Sequence, residues 1–264
     1  KETVSELLDS FSKILVQPIE QLIYEKVVYI TDSDIDRVPF SLLKKRDGTY
    51  LIDSVELTKT PSARYFASVK LNRPIAQKHF VGISPVKFSG EEYNESIGVS
   101  TPNRSTDVSL PFTKIELELI DQIIDQSIPW WNPFASYKRS LLLYEDANKK
   151  NLMNEEVFNA EILHFATHSI TDLSSPAKSR ILLSNNGDPS NDLQIREVYY
   201  VNMHNELLVL NGCLTGNGKA LGGEGIIGLT HAFLTAGVNN IIATYWPVND
   251  RASSLVMQYF YQDL

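Results

Sequence analysis

Apolar residues recur at three- and four-residue intervals over the first 25 positions of the chain, a spacing that predicts helical structure. Pro18 interrupts this spacing, so we expect either two helices or one helix that kinks near the proline. A short β-branched run at 26–31 predicts a strand, and the strand-like segment 50–57 is expected to close a small hairpin. Residues 1–75 are thus predicted to form an N-terminal part made of helix and hairpin.

From about residue 76 the pattern changes to short apolar strands that alternate with helices. Strands are predicted at 79–84, 140–145, 161–167, 205–211 and 240–246. Helices are predicted at 113–127, 149–159 and 225–236, and a polar stretch at 89–109 predicts a long loop. This alternation is typical of an α/β fold with a mostly parallel central sheet and helices on both faces.

The composition excludes several classes of protein. The 264 residues are 43% apolar, which is enough for a sizeable core and argues against disorder. The net charge is −8, and the densest basic cluster, at 44–46, precedes an Asp-Gly turn. Because phosphate binding requires a concentrated basic patch, we expect no direct contact with nucleic acid.

The chain offers no sign of a membrane segment or a secretion signal. No apolar stretch reaches the roughly 18 residues that a membrane span needs. The N-terminus, Lys-Glu-Thr-Val, lacks both a start methionine and a signal-peptide pattern. We therefore expect a cytoplasmic protein without membrane contact, and a single continuous unit cut from a longer chain.

The single cysteine, Cys213, excludes an intramolecular disulfide and a cysteine-rich zinc site. One cysteine accompanied by histidines fits a thiol enzyme as well as it fits an inert thiol in the core. His164 and His168 lie four apart, but no cysteine or carboxylate completes a zinc set around them. We expect His164 to pack in the core, and we predict no metal site.

His168 follows the predicted strand 161–167, and Cys213 follows the predicted strand 205–211. The carboxyl ends of parallel strands share one edge of a sheet, so both side chains are expected to emerge there if the strands are neighbours. A thiolate is a nucleophile, and a nearby imidazole can take the thiol proton and later protonate a leaving amine. The separation of 45 residues is close to the roughly 50 of caspases.

A glycine pattern at 223–228 formally matches a dinucleotide-binding fingerprint, with Asp250 at about the distance that an acidic ribose ligand would need. In that fingerprint, however, the glycines follow a strand directly, and here they begin 11 positions after Gly212. The pattern also leaves the pairing of His168 with Cys213 unexplained. We therefore predict no cofactor.

The segments around these two residues are Leu-His-Phe-Ala-Thr-His-Ser at 163–169 and Leu-Leu-Val-Leu-Asn-Gly-Cys-Leu-Thr-Gly at 207–216. In order and spacing they resemble the CHAT family, together with segments at 34–43, 60–63, 223–225, 232–237 and 242–250. CHAT proteins are caspase-like peptidases, often attached to tetratricopeptide (TPR) repeats. The resemblance implies a caspase-like three-layer sandwich, with the catalytic domain at 76–264.

Carried over position by position, the family's dyad falls on His168 and Cys213. Its oxyanion hole falls on the backbone N–H groups of Ser169 and Cys213, with Ser169 in place of the usual glycine. Leu214 stands where the family often has Glu, and the helix and Trp-containing tail with which the family usually continues do not follow Leu264 in this sequence, through truncation or divergence. Serine has the same backbone N–H as glycine, so Ser169 can serve as this donor if serine can adopt the φ angle that the position requires.

Four residues are candidates for substrate binding. Asn211 precedes the cysteine by two positions, which is where caspase relatives line the S1 pocket. Because Asn211 is neutral, a charge that selects Arg or Lys at P1 is missing from that position. Asp172, Glu224 and Asp250 are expected in nearby loops and could supply such a charge instead.

Two functions remain open at this point. The first is a cysteine endopeptidase that performs limited proteolysis of a protein partner, controlled by a sensor region or partner of the TPR type. The resemblance extends to components of bacterial defence and cell-death systems. The second is a catalytically silent CHAT-like scaffold that only binds. An intact His/Cys pair favours the peptidase, because a scaffold has no need for both residues.

Overall fold

The computed structural model of the protein describes residues 3–71, 76–88, 108–127, 137–170, 179–185, 188–211, 219–221, 225–244 and 249–264. The chain divides into two compact units. The first contains residues 1–72 with 220–226, and the second contains 73–219 with 227–264. The division into an N-terminal part and a catalytic domain that the sequence suggests stays a prediction.

The first unit begins with helix α1 (Val4–Phe11). Thr3 caps it, since the Thr3 hydroxyl accepts the N–H of Glu6 and the Glu6 carboxylate accepts the N–H of Thr3. The helix continues as a π-helical turn (Ser12–Val16) and stops before Pro18, followed by a 3₁₀ turn (Glu20–Leu22). The proline ends the helix, as a residue without an N–H donor is expected to do.

The predicted hairpin of the first unit is wrong. Strand β1 (Lys26–Tyr29) pairs in parallel with β2 (Glu56–Lys59), and Leu51–Asp53 forms a 3₁₀ turn instead of a strand. The Asp53 carboxylate accepts the N–H of Tyr50 and so stabilises that turn, an interaction that hydrophobic spacing does not reveal.

The link between the two strands contains 3₁₀ turns at Ser33–Arg37 and Phe40–Leu42. Lys44 and Tyr50 form an isolated antiparallel bridge in the described part of residues 1–72. Helix α2 (Ala63–Leu71) follows and was not predicted. The core of the unit is formed by the buried side chains of Val16, Val38, Leu43, Leu51 and Val55.

The second unit is built on a five-stranded sheet made of β3 (Gln77–Ser84), β6 (Lys138–Leu143), β7 (Ala160–Phe165), β11 (Leu207–Leu210) and β14 (Asn240–Ala243). The strand order is β14-β11-β7-β3-β6, and every neighbouring pair is parallel. The predicted parallel sheet is thus confirmed, and β7 and β11, which lead to the two candidate residues, are direct neighbours.

Helices cover both faces of this sheet, which confirms the predicted layered α/β fold. Helices α3 (Pro111–Ser127) and α8 (Asp250–Asp263) pack on one face. The other face carries α4 (Lys149–Leu152), α5 (Glu155–Phe158), α6 (Ile195–Val198) and α7 (Leu229–Ala236). Successive residues of each strand point to opposite faces, so Ile162 and Val209 face α3 and α8 while Leu163 and Leu208 face the other helices.

Two predicted helices differ from the structure. The segment 149–159 is two short helices, because Asn154 accepts the N–H of Glu156 and starts a second helix. The segment 225–236 begins as strand β13 (Gly225–Ile227), which pairs with β12 (Lys219–Leu221), and only then becomes α7. Helix α8 was not predicted.

Smaller pieces complete the described part of the chain. Strand β4 (Lys87–Phe88) pairs with β5 (Val108–Ser109). Strands β8 (Ser169–Ile170), β9 (Arg180–Ile181) and β10 (Leu193–Gln194) form an antiparallel sheet. Short 3₁₀ turns occur at Tyr144–Asp146 and Pro189–Asn191. Among the described residues, no helix has the length and apolar character needed to cross a membrane.

Candidate active site

Strand β7 leads the chain to His168 at the carboxyl edge of the sheet. Beyond the strand, the N–H of Ala166 still donates to the carbonyl of Ile83 at 2.9 Å. The Thr167 hydroxyl donates to the carbonyl of Leu182 at 2.8 Å, and the N–H of Leu182 donates to the carbonyl of His168 at 2.9 Å. The backbone on either side of His168 is therefore tied to a second segment of the chain.

Strand β11, which precedes Cys213 in the sequence, ends at the same edge of the sheet. The N–H of Asn211 donates to the carbonyl of Phe165 at 2.9 Å, so the pairing of β11 with β7 extends to Asn211. Cys213 comes two residues later and His168 three residues after Phe165. Cys213 lies outside the described residues, as do Asp172 and Glu224. The two segments that lead to the candidate dyad thus leave neighbouring strands side by side.

Burial lowers the pKa of His168 to about 4. The imidazole is therefore neutral at neutral pH and has a nitrogen that can accept a proton. A positive charge on this ring would need a negative charge close by to compensate for the loss of solvation. A histidine in this state can act as a general base.

Ser169, the predicted oxyanion-hole residue, is buried and begins β8, where it lies opposite Ile181. It is not among the non-glycine residues with positive φ. A serine therefore occupies this position without the left-handed backbone that would require glycine.

Asp250 was expected in a loop, but it is the first residue of α8. Its carboxylate accepts the N–H of Phe112, in the first turn of α3, at 3.1 Å. Burial is the main cause that raises the pKa of Asp250, and the nearby carboxylate of Glu116 adds to the shift. The side chain thus joins the N-terminal ends of two helices.

Asn211 belongs to a network of polar side chains on the α3 and α8 face of the sheet. The Asn211 amide nitrogen donates to both carboxylate oxygens of Glu116, at 2.8 and 3.0 Å. The Ser253 hydroxyl donates to the Asn211 amide oxygen. On the other side of Glu116, Nε2 of His164 lies 2.8 Å from Oε1, and Nδ1 of His164 lies 3.0 Å from the Tyr261 hydroxyl.

Burial raises the pKa of Tyr261 well above its usual value, so the phenol keeps its proton. This hydroxyl is hydrogen-bonded to Nδ1 of His164, and Nε2 of the same ring is hydrogen-bonded to Glu116. Glu116 and His164 are both 0% exposed. The expected burial of His164 in the core is confirmed, and its partners explain why a polar residue is tolerated there.

The sequence reasoning missed Glu116, Ser253 and Tyr261. A signal for Glu116 was available, since it lies one turn before the buried Ile120 on α3. The pattern did not reveal it because the apolar positions of this helix cover more than one face, and one of them, Ile115, is 44% exposed. Among the described residues, no group of three His, Cys, Asp or Glu side chains could hold a metal ion.

The comparisons with known proteins agree with the fold. Residues 5–264 match the family model of the CHAT domain. The chain is 22% identical, over 286 aligned positions, to Tetratricopeptide repeat protein 28 of Homo sapiens and to the same protein of Mus musculus. The alignment covers 91% of this chain, 10% of the human protein and 11% of the mouse protein. The chain therefore spans about a tenth of the length of these relatives.

Proposed function

We propose that this chain, which belongs to the CHAT domain family, is a cysteine endopeptidase that performs limited proteolysis of a protein partner. Cys213 is the nucleophile and His168 is its general base. The family, and the parallel sheet with β7 beside β11, support this proposal. The observation that carries it is the hydrogen bond from Asn211 N–H to the Phe165 carbonyl, since it aligns the two segments that lead to the dyad.

In the proposed reaction, His168 takes the proton of the Cys213 thiol as sulfur attacks the scissile carbonyl carbon. The backbone N–H groups of Ser169 and Cys213 stabilise the resulting oxyanion. The imidazolium then gives its proton to the leaving amine, and a thioester remains on Cys213. Water attacks that thioester with His168 again as base, which releases the acid product and restores the thiol.

The buried, neutral state of His168 bears on the resting form of the enzyme. A thiol has a pKa of about 8.5, far above the pKa of about 4 that burial gives His168. Spontaneous transfer of the proton is therefore unfavourable, and the resting dyad is a neutral thiol beside a neutral imidazole. Proton transfer then accompanies attack on the substrate.

The dyad is tested by incubating the protein with a peptide library and reading cleavage by mass spectrometry. Cys213→Ala and His168→Ala should each lower cleavage by several orders of magnitude, because each removes a reacting group. His231→Ala is the matched control, since the proposed reaction gives His231 no role and its Nδ1 is hydrogen-bonded to the Tyr199 hydroxyl. Substantial turnover by verified Cys213→Ala protein would refute the assignment, and a wild-type protein that cleaves nothing would favour the scaffold.

The same library tests substrate preference. Asn211 is neutral and its amide is occupied by Glu116 and Ser253. We expect the P1 preference to be not strictly basic, with apolar or uncharged polar residues tolerated. A profile restricted to Arg or Lys would contradict this, and its loss on mutating Asp172, Glu224 or Asp250 would identify the residue responsible.

We further propose that the activity is controlled by a sensor region or partner of the TPR type, in a regulated defence or cell-death system. The names of the two relatives support a TPR neighbour. A free-energy gap of a few kcal/mol between misaligned and aligned dyads would hide the activity, since about 1.4 kcal/mol changes a population tenfold. The test compares this chain with the full-length protein, with and without the partner. If this chain and the full-length protein, with and without the partner, all cleave substrate at the same fully activated rate, the proposed control by a TPR-type region is wrong.

A further inference from the structure

We propose that Glu116 is a positioning residue for the nucleophile, because its buried carboxylate holds the Asn211 side chain and thereby the end of β11 from which Cys213 follows. This inference rests on the proposed function, since it takes Cys213 as the nucleophile. Glu116 itself touches neither substrate nor the reacting atoms in this scheme. Its role is exerted through Asn211.

Hydrogen bonds hold Asn211 at its backbone N–H, at its amide nitrogen and at its amide oxygen. Its backbone N–H donates to Phe165, its amide nitrogen donates to Glu116, and its amide oxygen accepts from Ser253. Asn211 lies one residue beyond β11, so these bonds act at the end of the strand, where the pairing with β7 stops being regular. They tie the strand end to α3 through Glu116 and to α8 through Ser253.

Close packing of α3 on the sheet brings Glu116 within reach. A Cβ atom at Gly82 would lie 2.9 Å from Cδ2 of Leu117, the neighbour of Glu116 on α3. Gly82 therefore allows the helix to approach β3 more closely than another residue would. Gly82 is also level with His164 on the adjacent strand β7, which places His164 beside the carboxylate.

Stability alone does not account for a carboxylate in this position. Glu116 is fully buried on α3, on the face of the sheet whose apolar cluster contains Phe80, Ile162 and Val209. Burying a carboxylate is costly even when it is hydrogen-bonded, and apolar residues of similar volume often stabilise such sites better. A charged acceptor does give strong, directional hydrogen bonds. It fixes the orientation of the Asn211 amide, which an apolar residue could not do.

The first test replaces the carboxylate by an amide of the same shape. Glu116→Gln turns an NH₂ group toward the donors of Asn211 or His164, so one hydrogen bond is replaced by a clash of donors. We expect kcat to fall about 10- to 100-fold at nearly unchanged KM, because a small misplacement of a reacting group has effects of this size. Ser253→Ala, on the half-buried side of the network, should lower kcat by a smaller factor.

A double substitution tests the pair directly. Asn211→Asp alone places two carboxylates in contact and should impair the enzyme more than Glu116→Gln. Combined with Glu116→Gln, the new amide can donate to the new carboxylate, and Ser253 can still donate to it. The double variant should therefore regain most of the kcat lost by either single variant. Failure of this rescue, in a protein that is folded, would overturn the role of the pair.

A matched control separates positioning from simple destabilisation. Ile195→Val removes one methylene from α6, in the core on the opposite face of the sheet. It should lower the melting temperature and leave kcat unchanged. If Glu116→Gln behaves in the same way, with a lower melting temperature and unaltered kcat, Glu116 is structural and the proposal is wrong.

Two further readouts keep the outcomes distinct. An Asn211→Asp variant that newly prefers Arg or Lys at P1 would make Asn211 a substrate contact and overturn the proposal.

If wild-type protein cleaves nothing under any condition, the proposed function fails. The rate at which iodoacetamide alkylates Cys213 then tests whether Glu116 positions this residue. Cys213 is the single cysteine, so the rate reports that residue alone. Glu116→Gln should alter the rate severalfold and Ile195→Val should not; equal rates would refute positioning.

Discussion

The two faces of the parallel sheet are built differently. The face under α4 to α7 is an apolar core that includes Leu163, Phe165, Leu208 and Phe233. The face under α3 and α8 is also largely apolar, but the polar network around Glu116 lies within it. Both faces derive from the same strands, β7 and β11, with alternate residues on each side. The apolar face contributes stability without directional constraint, whereas the polar network constrains the orientation of one strand end.

The largest effect should come from the proposed dyad of His168 and Cys213. The Cys213→Ala/His168→Ala double variant is expected to be little worse than either single variant, because the two residues act as a unit. Residual cleavage rates of the three variants, measured on one peptide substrate, check this. Strictly multiplicative losses would mean that the two residues act independently.

The apolar face should be the more sensitive to loss of volume. Phe233 is 1% exposed, and its ring centroid lies 6.1 Å from that of Phe165. Phe233→Ala should reduce the free energy of unfolding by about 3–5 kcal/mol. Denaturant unfolding measures this loss, and the activity per folded molecule should remain normal. A small loss of stability combined with a large loss of kcat would reverse the roles assigned to the two faces.

Acid should destabilise the protein through His168. Its pKa is about 4 in the folded state, below the ordinary value of 6.5, so the unfolded chain binds more protons between these values. Its contribution to stability is therefore complete above pH 6.5 and decreases as the pH falls toward 4. Between pH 6.5 and pH 4, the free energy of unfolding of wild-type protein should therefore fall by up to about 3 kcal/mol relative to that of His168→Gln.

Asp192 provides a control of opposite sign for this pH dependence. Burial raises its pKa to about 6, so the folded state binds more protons than the unfolded chain between about 4 and 6. Its contribution therefore decreases as the pH rises through that range. Relative to Asp192→Asn, wild-type protein should become more stable on acidification. Denaturant titrations at several pH values test both variants, and a common sign would contradict these assignments.

A small effect is expected at the outer end of the polar network. Tyr261→Phe removes the hydroxyl that is hydrogen-bonded to Nδ1 of His164 and leaves the ring, which stacks on the imidazole with centroids 5.7 Å apart. The free energy of unfolding should fall by about 1–3 kcal/mol, the cost of leaving one buried polar atom without its hydrogen bond. Thermal or denaturant unfolding provides the measurement. A loss as large as that of Phe233→Ala would mean that the network dominates stability.

The smallest effect should be that of metal removal. EDTA should leave peptidase activity unchanged, because the proposed chemistry uses only the thiol, the imidazole and backbone donors. Alkylation of Cys213 should abolish activity in the same assay. The reverse pattern, with loss in EDTA and survival after alkylation, would overturn the mechanism.

The sequence by itself determined the class of the fold and the order of its central strands along the chain. Short apolar strands such as 161–167 and 205–211 can be recognised in the sequence because strands buried on both faces of a sheet require continuous apolar runs. The same reading placed His168 just past the end of a strand, which the structure confirms. The motifs around His168 and Cys213 were sufficient to indicate the family.

Only the tertiary structure decided which residues meet across the layers. The β1–β2 pair is parallel, although the spacing of apolar residues in each strand does not encode a pairing direction. The chain between the two strands folds into turns with particular contacts, such as that of Asp53 with Tyr50, which hydrophobic spacing does not reveal either. Glu116 and Asn211 are 95 residues apart in sequence and yet in contact. Their meeting depends on how closely α3 approaches the sheet at Gly82, a property of packing between distant segments rather than of either segment alone.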